Sequence, residues 1–323
     1  MKINHAVSAR DQGAHLNKSD FGEGGIYPIL YSFFDQNGAL DRAAWRQQIE
    51  AVIQAGAPGI AILGLITEVS ALSVEERRTL VTWAREDIAD RVPLLATIAG
   101  KDLAEARALA QDAESAGANA LIIQPPLNVK CDESELIDFF SGIMKSVSIA
   151  VGIQNAPEYL GVGLSAPAVL ALAERCENFR LMKGEGPVSV VKPYIEKLSP
   201  QIAIFNGRGG LELSDNLRAG CYGIVPAPDC ADLQIALHQA FKNKDEARMD
   251  ALYGEILPYI VFAMQSLDVA IAYGKRMFAT RAGIDNRCSC RIVRDAEDPF
   301  FLNAMRRWSA RFGSYAQGTG SSR

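Results

Sequence analysis

Histidine is scarce in this chain of 323 residues: only His5, His15 and His238 occur. A histidine-built metal centre is therefore not expected, and no metal or other cofactor is called for. The six cysteines, Cys131, Cys176, Cys221, Cys230, Cys288 and Cys290, form no CxxC or Cys/His cluster. In a chain this long they read as free thiols, not as a disulfide framework. No apolar run approaches the roughly 20 residues of a membrane span. Lysine and arginine are scattered and the net charge is −5, so the basic stripe of a nucleic-acid binder is missing. The stretch from Met1 to Gly24 is polar, of mixed charge, and lacks an apolar signal-peptide region. A cytoplasmic location is the resulting expectation.

What remains is an ordinary globular composition, 49% hydrophobic and 22% charged. From Gly25 onward, short apolar runs alternate with helical stretches. The runs are Ile26–Phe33, Gly59–Leu63, Val92–Ile98, Ala118–Ile123, Ser148–Ile153, Phe179–Met182, Ile202–Phe205 and Gly223–Val225. Each is apolar on successive residues, as strands buried on both faces of a parallel sheet are. Between them the periodicity predicts helices near Arg42–Ala55, Val74–Ile88, Leu103–Ala116, Glu133–Lys145, Ala166–Cys176, Val188–Leu198 and Leu211–Ala219, with an eighth at Ala231–Lys242. Ser73-Val-Glu-Glu76 and Asp132-Glu-Ser-Glu135 are capping boxes, and Ser165-Ala-Pro167 is a helix-start signal.

Eight strand–helix units in strict alternation predict a (β/α)8 TIM barrel with right-handed crossovers. A doubly wound open sheet is the alternative, but no Gly-x-Gly-x-x-Gly turn follows the first strand. The expected organisation is an N-terminal arm (1–24), the barrel (25–242), C-terminal helices packed outside it (243–312) and a flexible tail (313–323).

Function in a barrel collects at the C-terminal ends of the strands. Lys183 stands there, directly after Phe179-Arg-Leu-Met182. Loss of hydration at a buried strand end favours the neutral amine that Schiff-base formation needs. A lysine reaching solvent or pairing with Glu185 is the plainer alternative. Thr67 could offer a hydroxyl and an N–H to a carboxylate, whereas Glu68 reads as a loop anchor that accepts backbone amides. Gly207-Arg-Gly-Gly210 could admit a ligand close to the backbone, with Arg208 meeting a distal oxygen or carboxylate. Asp229 reads as a cap for the eighth helix.

Three segments together resemble the dihydrodipicolinate synthase/N-acetylneuraminate lyase family of class I aldolase barrels. They are Gly64-Leu-Ile-Thr-Glu-Val-Ser-Ala-Leu72 with Glu75-Glu-Arg77, Gln154-Asn-Ala-Pro157 with Gly161, and Leu181-Met-Lys183. The resemblance spans about Gly25 to Phe312. It implies a Schiff-base lysine at Lys183, a 2-keto acid substrate, and a homo-oligomer, either dimer or tetramer. It also implies that Ile66, Thr67, Gly207 and Val225 line the substrate pocket.

The departures matter equally. The family loop's two threonines are Leu65 and Ile66 here, its strand-five tyrosine is Gln154, and its strand-four Tyr-Tyr pair is Pro126-Leu127. The arginine that binds a second substrate's carboxylate falls at Tyr159. Without the tyrosine relay, dihydrodipicolinate synthase activity is not expected. The variant pattern is nearest to the 2-keto-3-deoxy sugar acid dehydratase branch, L-2-keto-3-deoxyarabonate dehydratase-like. Dehydration is thus the expected reaction, with Lys183, Glu185 and Gln154 as the catalytic set. Retro-aldol cleavage releasing pyruvate is the alternative, and a barrel that binds a keto acid without turnover is a second one.

Overall fold

A computed structural model of the chain describes residues 24–126, 131–198, 201–285, 290–293 and 297–315. Eight parallel strands form one sheet: β1 (Gly25–Ile26), β2 (Ile60–Ile62), β3 (Leu94–Ile98), β4 (Ala120–Ile123), β5 (Ala150–Asn155), β6 (Phe179–Gly184), β7 (Ala203–Asn206) and β8 (Gly223–Ile224). Their order is β1-β8-β7-β6-β5-β4-β3-β2. A parallel bridge between Ile29 and Ala61 joins the two ends and closes the barrel. The fold is a TIM barrel, as the alternation predicted. The first strand is shorter than its apolar run because Pro28 has no N–H to give to the ladder.

Two apolar layers hold the barrel. Its interior is filled by Tyr27, Ile29, Leu95, Ile122, Leu181 and Phe205, among others. A larger layer lies between the strands and the surrounding helices. Those helices are α1 (Arg42–Gln54), α2 (Val74–Ile88), α3 (Leu103–Ser115), α4 (Glu133–Met144), a single turn α5 (Pro157–Leu160), α6 (Ala166–Arg175), α7 (Val188–Leu198), α8 (Leu213–Arg218) and α9 (Ala231–Lys242). The capping boxes of α2 and α4 form as their sequences require. Ser165 does not cap α6 through its hydroxyl, which donates instead to Glu133 Oε2 at 3.1 Å.

Beyond the barrel come α10 (Glu246–Ala263), α11 (Leu267–Val269), a π-helical turn over Ala270–Gly274, α12 (Lys275–Ala282) and α13 (Pro299–Phe312). No single helix among the described residues is long and apolar enough to cross a membrane. Three buried polar contacts dock this extension. Arg281 pairs with Asp232 at 2.6 Å, Lys275 with Glu68 at 2.5 Å, and the Tyr259 hydroxyl donates to Asp229 at 2.6 Å. The tail expected from Gly313 is anchored at its start. Gly313 O accepts from Arg281 Nε, Tyr315 N–H donates to Arg281 O, and the Tyr315 ring packs on Phe278. The remainder of the tail and the arm up to residue 23 lie outside the described residues.

Candidate active site

Lys183 is the fifth residue of β6, and its register partners are Gln154 on β5 and Phe205 on β7. Its side chain is only 9% exposed, and it faces a cavity at the C-terminal mouth of the barrel. Two residues on, Glu185 leaves the strand and turns back, so its Oε1 lies 2.5 Å from Lys183 Nζ. The pair expected as the plainer alternative therefore exists, but it stands inside the cavity and not in bulk solvent. Glu185 is placed to take the proton that an ammonium must lose before its nitrogen can attack a carbonyl.

Glu185 is fixed by three further constraints, two on its carboxylate and one on its backbone. Gln154 Nε2 donates to Oε2 at 2.8 Å, and Gln154 Oε1 in turn accepts from Gln124 Nε2 at 2.9 Å. Glu185 N–H donates to Asn155 O at 3.1 Å. The third constraint is space: a Cβ on Gly207 would lie 2.2 Å from Glu185 Oε1. Gly207 was expected to line the substrate pocket, but its missing side chain is where the Glu185 carboxylate sits. Asn206 fixes that glycine, accepting from Gly207 N–H and donating to Gly186 O across the two loops.

The loop after β2 divides the roles expected of it. Residues Leu65–Thr67 form a 3-10 turn in which Thr67 N–H donates to Gly64 O at 3.0 Å. The Thr67 hydroxyl donates to Leu30 O at 2.7 Å, and Thr67 O accepts from the Ser32 hydroxyl. Thr67 is fully buried, so the expectation that it offers hydroxyl and N–H to a carboxylate is corrected: the N–H closes the loop's own 3-10 turn, and the hydroxyl ties this loop to the one after β1. Ile66 does border the cavity. Glu68 plays the anchoring part expected of it, accepting from Arg291 N–H at 2.7 Å and Ile292 N–H at 3.0 Å.

Val225 and Arg208 also border the cavity. Arg208 has left-handed backbone, φ 55°, and its guanidinium already pairs with Glu158 at 2.9 Å and Glu212 at 3.3 Å. The distal anion expected for it thus competes with two carboxylates of the protein itself. Asp229 does not cap α9. Its oxygens accept from the Tyr31 and Tyr259 hydroxyls and from Cys230 N–H, beneath the cavity. Burial pushes its carboxyl above the usual range, against the pull of those donors.

The cavity measures about 440 Å³, and the C-terminal extension forms much of its wall. Residues between Tyr259 and Ala270, on α10, α11, the link between them and the first residue of the π-helical turn, roof the mouth. Sequence periodicity placed these helices outside the barrel and gave no sign that they cover the site. Tyr159, on α5, also lines the cavity, and burial raises its phenol above the ordinary range. No group of three or more potential metal ligands occurs among the described residues. The five described cysteines form no disulfide with one another, and Cys288 lies outside the described residues, as does Leu127.

Residues 23–258 match the model of the dihydrodipicolinate synthetase family. The chain belongs to this family. It is accordingly a lyase, within a group whose named members include synthases, aldolases and dehydratases. The chain is 32% identical over 221 residues to 4-hydroxy-tetrahydrodipicolinate synthase of Bartonella quintana, covering 66% of this chain and 74% of that protein. It is 28% identical over 247 residues to L-2-keto-3-deoxyarabonate dehydratase of Azospirillum brasilense, covering 73% and 78%. Among solved structures, Escherichia coli K12 YagE in complex with pyruvate superposes with a TM-score of 0.82 at 22% identity, covering 90% and 98%.

Proposed function

We propose that this chain is a Schiff-base lyase that removes water from a 2-keto-3-deoxy acid, with Lys183 as nucleophile and Glu185 as acid and base. The observation that carries the reading is the Lys183–Glu185 pair, 2.5 Å apart at one end of the cavity. Glu185 takes a proton from the Lys183 ammonium, and the free amine adds to C2 of the substrate. Water leaves the carbinolamine and a protonated imine remains, an electron sink for the bond to C3. Glu185 removes a C3 proton and the resulting enamine expels the C4 hydroxyl. The hydroxyl departs with a proton, so one water leaves. Hydrolysis of the conjugated imine then frees the lysine and releases a 2-keto acid with a C3=C4 double bond.

Gln154 cannot exchange protons as a tyrosine can. Its part is to orient Glu185, backed by Gln124. Ile66 supplies the carboxylate contact through its amide, because the first amides of a short helical turn have no partner within that turn. Val225 flanks the bound acid, and Gly207 leaves room for Glu185. This reading concerns C1 to C4 of the substrate; sequence resemblance alone points to a sugar-acid tail beyond them. The same imine would support cleavage between C3 and C4, and the products tell the two reactions apart.

Incubation with pyruvate and with 2-keto-3-deoxy acids, borohydride reduction and peptide mass spectrometry test the reading. An adduct on Lys183 is expected, with an unsaturated keto acid as the product of turnover. No adduct with any keto acid would sink it, and pyruvate among the products would replace dehydration by retro-aldol cleavage. A homo-oligomer, dimer or tetramer, is the proposed assembly. Val261 and Phe300 are exposed apolar residues of the extension that such an assembly could cover. Light scattering checks it.

A further inference from the structure

The cavity of about 440 Å³ falls among sites that enclose ligands much larger than a three-carbon keto acid. Its two ends differ in chemistry. Lys183 and Glu185 occupy one. Away from them the wall is Ile66 and Leu160 on barrel loops and Ile260, Ala263, Met264 and Leu267 on the roof. Leu267 is 42% exposed, so the mouth itself carries an apolar lip.

Among the described residues, polar side chains do reach this wall, Tyr159 and Gln265 at its rim included, but most are already engaged. Arg208 is held by Glu158 and Glu212 through its two terminal nitrogens, which leaves its Nε as the one buried donor there. Asp229 is held by the Tyr31 and Tyr259 hydroxyls. The Ser266 hydroxyl oxygen accepts from Val269 N–H at 3.1 Å. A polyhydroxylated tail moving into this space would give up water at each hydroxyl for few partners in return. An unpaired buried hydroxyl weakens binding by roughly tenfold. An alkyl or aryl tail gains there instead, by about fourfold for each methylene removed from water.

We propose that the substrate carries an apolar alkyl or aryl group beyond C4, seated against the helical roof, in place of a sugar-acid tail. The proposal rests on the Lys183 imine reading for C1 to C4 and adds the chemistry of the group attached beyond them. The roof is part of its logic. Two of the three docking contacts of the extension, Lys275 to Glu68 and Tyr259 to Asp229, grip the loops after β2 and β8. They hold the apolar face of α10 over the barrel mouth.

The test separates the two readings. Borohydride trapping with pyruvate, which has no tail, addresses the imine alone. The tail is then addressed by kcat/KM for 4-hydroxy-2-ketopentanoate, 4-hydroxy-2-ketohexanoate, 4-hydroxy-2-keto-octanoate and 4-hydroxy-2-keto-4-phenylbutanoate, set against 2-keto-3-deoxyarabonate and 2-keto-3-deoxygluconate. The expected result is a rise of about fourfold per methylene, with the phenyl compound roughly tenfold or more above both sugar acids. Met264→Gln, which puts a polar group in the roof, should narrow that gap at least about threefold. If neither class is turned over, the affinity ranking of the same acids on Lys183→Ala, measured by calorimetry, decides. Sugar acids that match or exceed the alkyl and aryl acids overturn the proposal and leave the imine reading intact. A missing pyruvate adduct overturns the imine reading instead.

Discussion

Two lysine–glutamate pairs lie inside this molecule with the same 2.5 Å separation, Lys183 with Glu185 and Lys275 with Glu68. Each has its glutamate on a loop that follows a barrel strand, though Lys183 stands near the end of β6 and Lys275 begins α12 of the extension, and both are cut off from bulk solvent. Their surroundings differ. Glu68 and Lys275 have no exposed side-chain surface, and Glu68 also accepts two backbone amides, from Arg291 and Ile292. The Phe34 ring stacks against both the Lys275 ammonium and the Arg291 guanidinium. Glu185 and Lys183 retain about a tenth of their side-chain surface, 10% and 9%, and that surface opens into the cavity. Burial and pairing are therefore shared by a tether and a candidate catalytic pair. The open face is what distinguishes a pair that can meet a substrate from one that can only hold a fold together.

The largest expected effect tests the open pair. Lys183→Ala should lower turnover by on the order of 10^4-fold or more, since no other lysine lines the cavity among the described residues. Its stability should fall less than that of Lys275→Ala, because water entering the cavity can solvate Glu185. Urea unfolding of the two variants checks this side by side. In Lys275→Ala, Glu68 is left charged in a closed interior, and a loss of about 3–5 kcal/mol is expected. Borohydride trapping on its folded fraction should still label Lys183. If both variants lost the same stability and neither lost the imine, the distinction drawn between the pairs would be wrong.

A smaller effect sharpens the role of Glu185. Glu185→Gln keeps the size and the cavity but removes the base, and kcat should fall roughly 10^2- to 10^4-fold. Gly207→Ala reaches the same group through space, since its Cβ would fall 2.2 Å from Glu185 Oε1. It should lower kcat about tenfold or more by displacing the carboxylate from the geometry that proton transfer needs. A Gly207→Ala enzyme with unchanged kcat would show that the position of Glu185 does not matter to the reaction.

How much of this was legible in the sequence depends on the distance over which each contact is made. Apolar runs of period one and helical stretches of period 3.6 are local, and they gave the barrel. Lys183 stood out as a charged residue at the end of such a run, but position alone favoured the plainer reading, and the family resemblance singled it out as the Schiff-base candidate. Thr67 was misread because residue type was taken for role. A threonine suits a carboxylate, but a 3-10 turn consumes its N–H and the neighbouring loop consumes its hydroxyl. Lys275 carried no signal, being one lysine in a helical stretch whose partner lies 207 residues earlier. The roof was missed for a related reason. Helical periodicity reports that α10 has an apolar face, not whether that face meets the side of the barrel or its mouth. Asp229 was read as a helix cap, and only the tertiary fold brings Tyr31 and Tyr259 to it.

The smallest effect concerns the strap that closes over the tether. Arg291 donates its own N–H to Glu68 and places its guanidinium on both oxygens of Glu76, at 2.9 Å and 2.7 Å. The Arg291 guanidinium holds the Glu76 carboxyl below the usual range, against a smaller opposing effect of burial. The native state thus binds fewer protons at Glu76 than the unfolded chain does. The resulting stability is fully present above the ordinary glutamate value of about 4.3 and is lost as pH falls through the depressed native value. Both side chains are about a quarter exposed, 26% each, so the contribution should stay within about 1 kcal/mol. Glu76→Gln should accordingly flatten the rise of unfolding free energy with pH on the acid side, with little change near neutrality beyond the loss of the pair. Urea titrations of both proteins between about pH 3 and pH 7 measure it. Parallel curves would mean that the amide contact to Glu68 and the guanidinium contacts to Ala71 O and Gly38 O suffice to hold Arg291, and that the closed pair needs no ionic strap to stay closed.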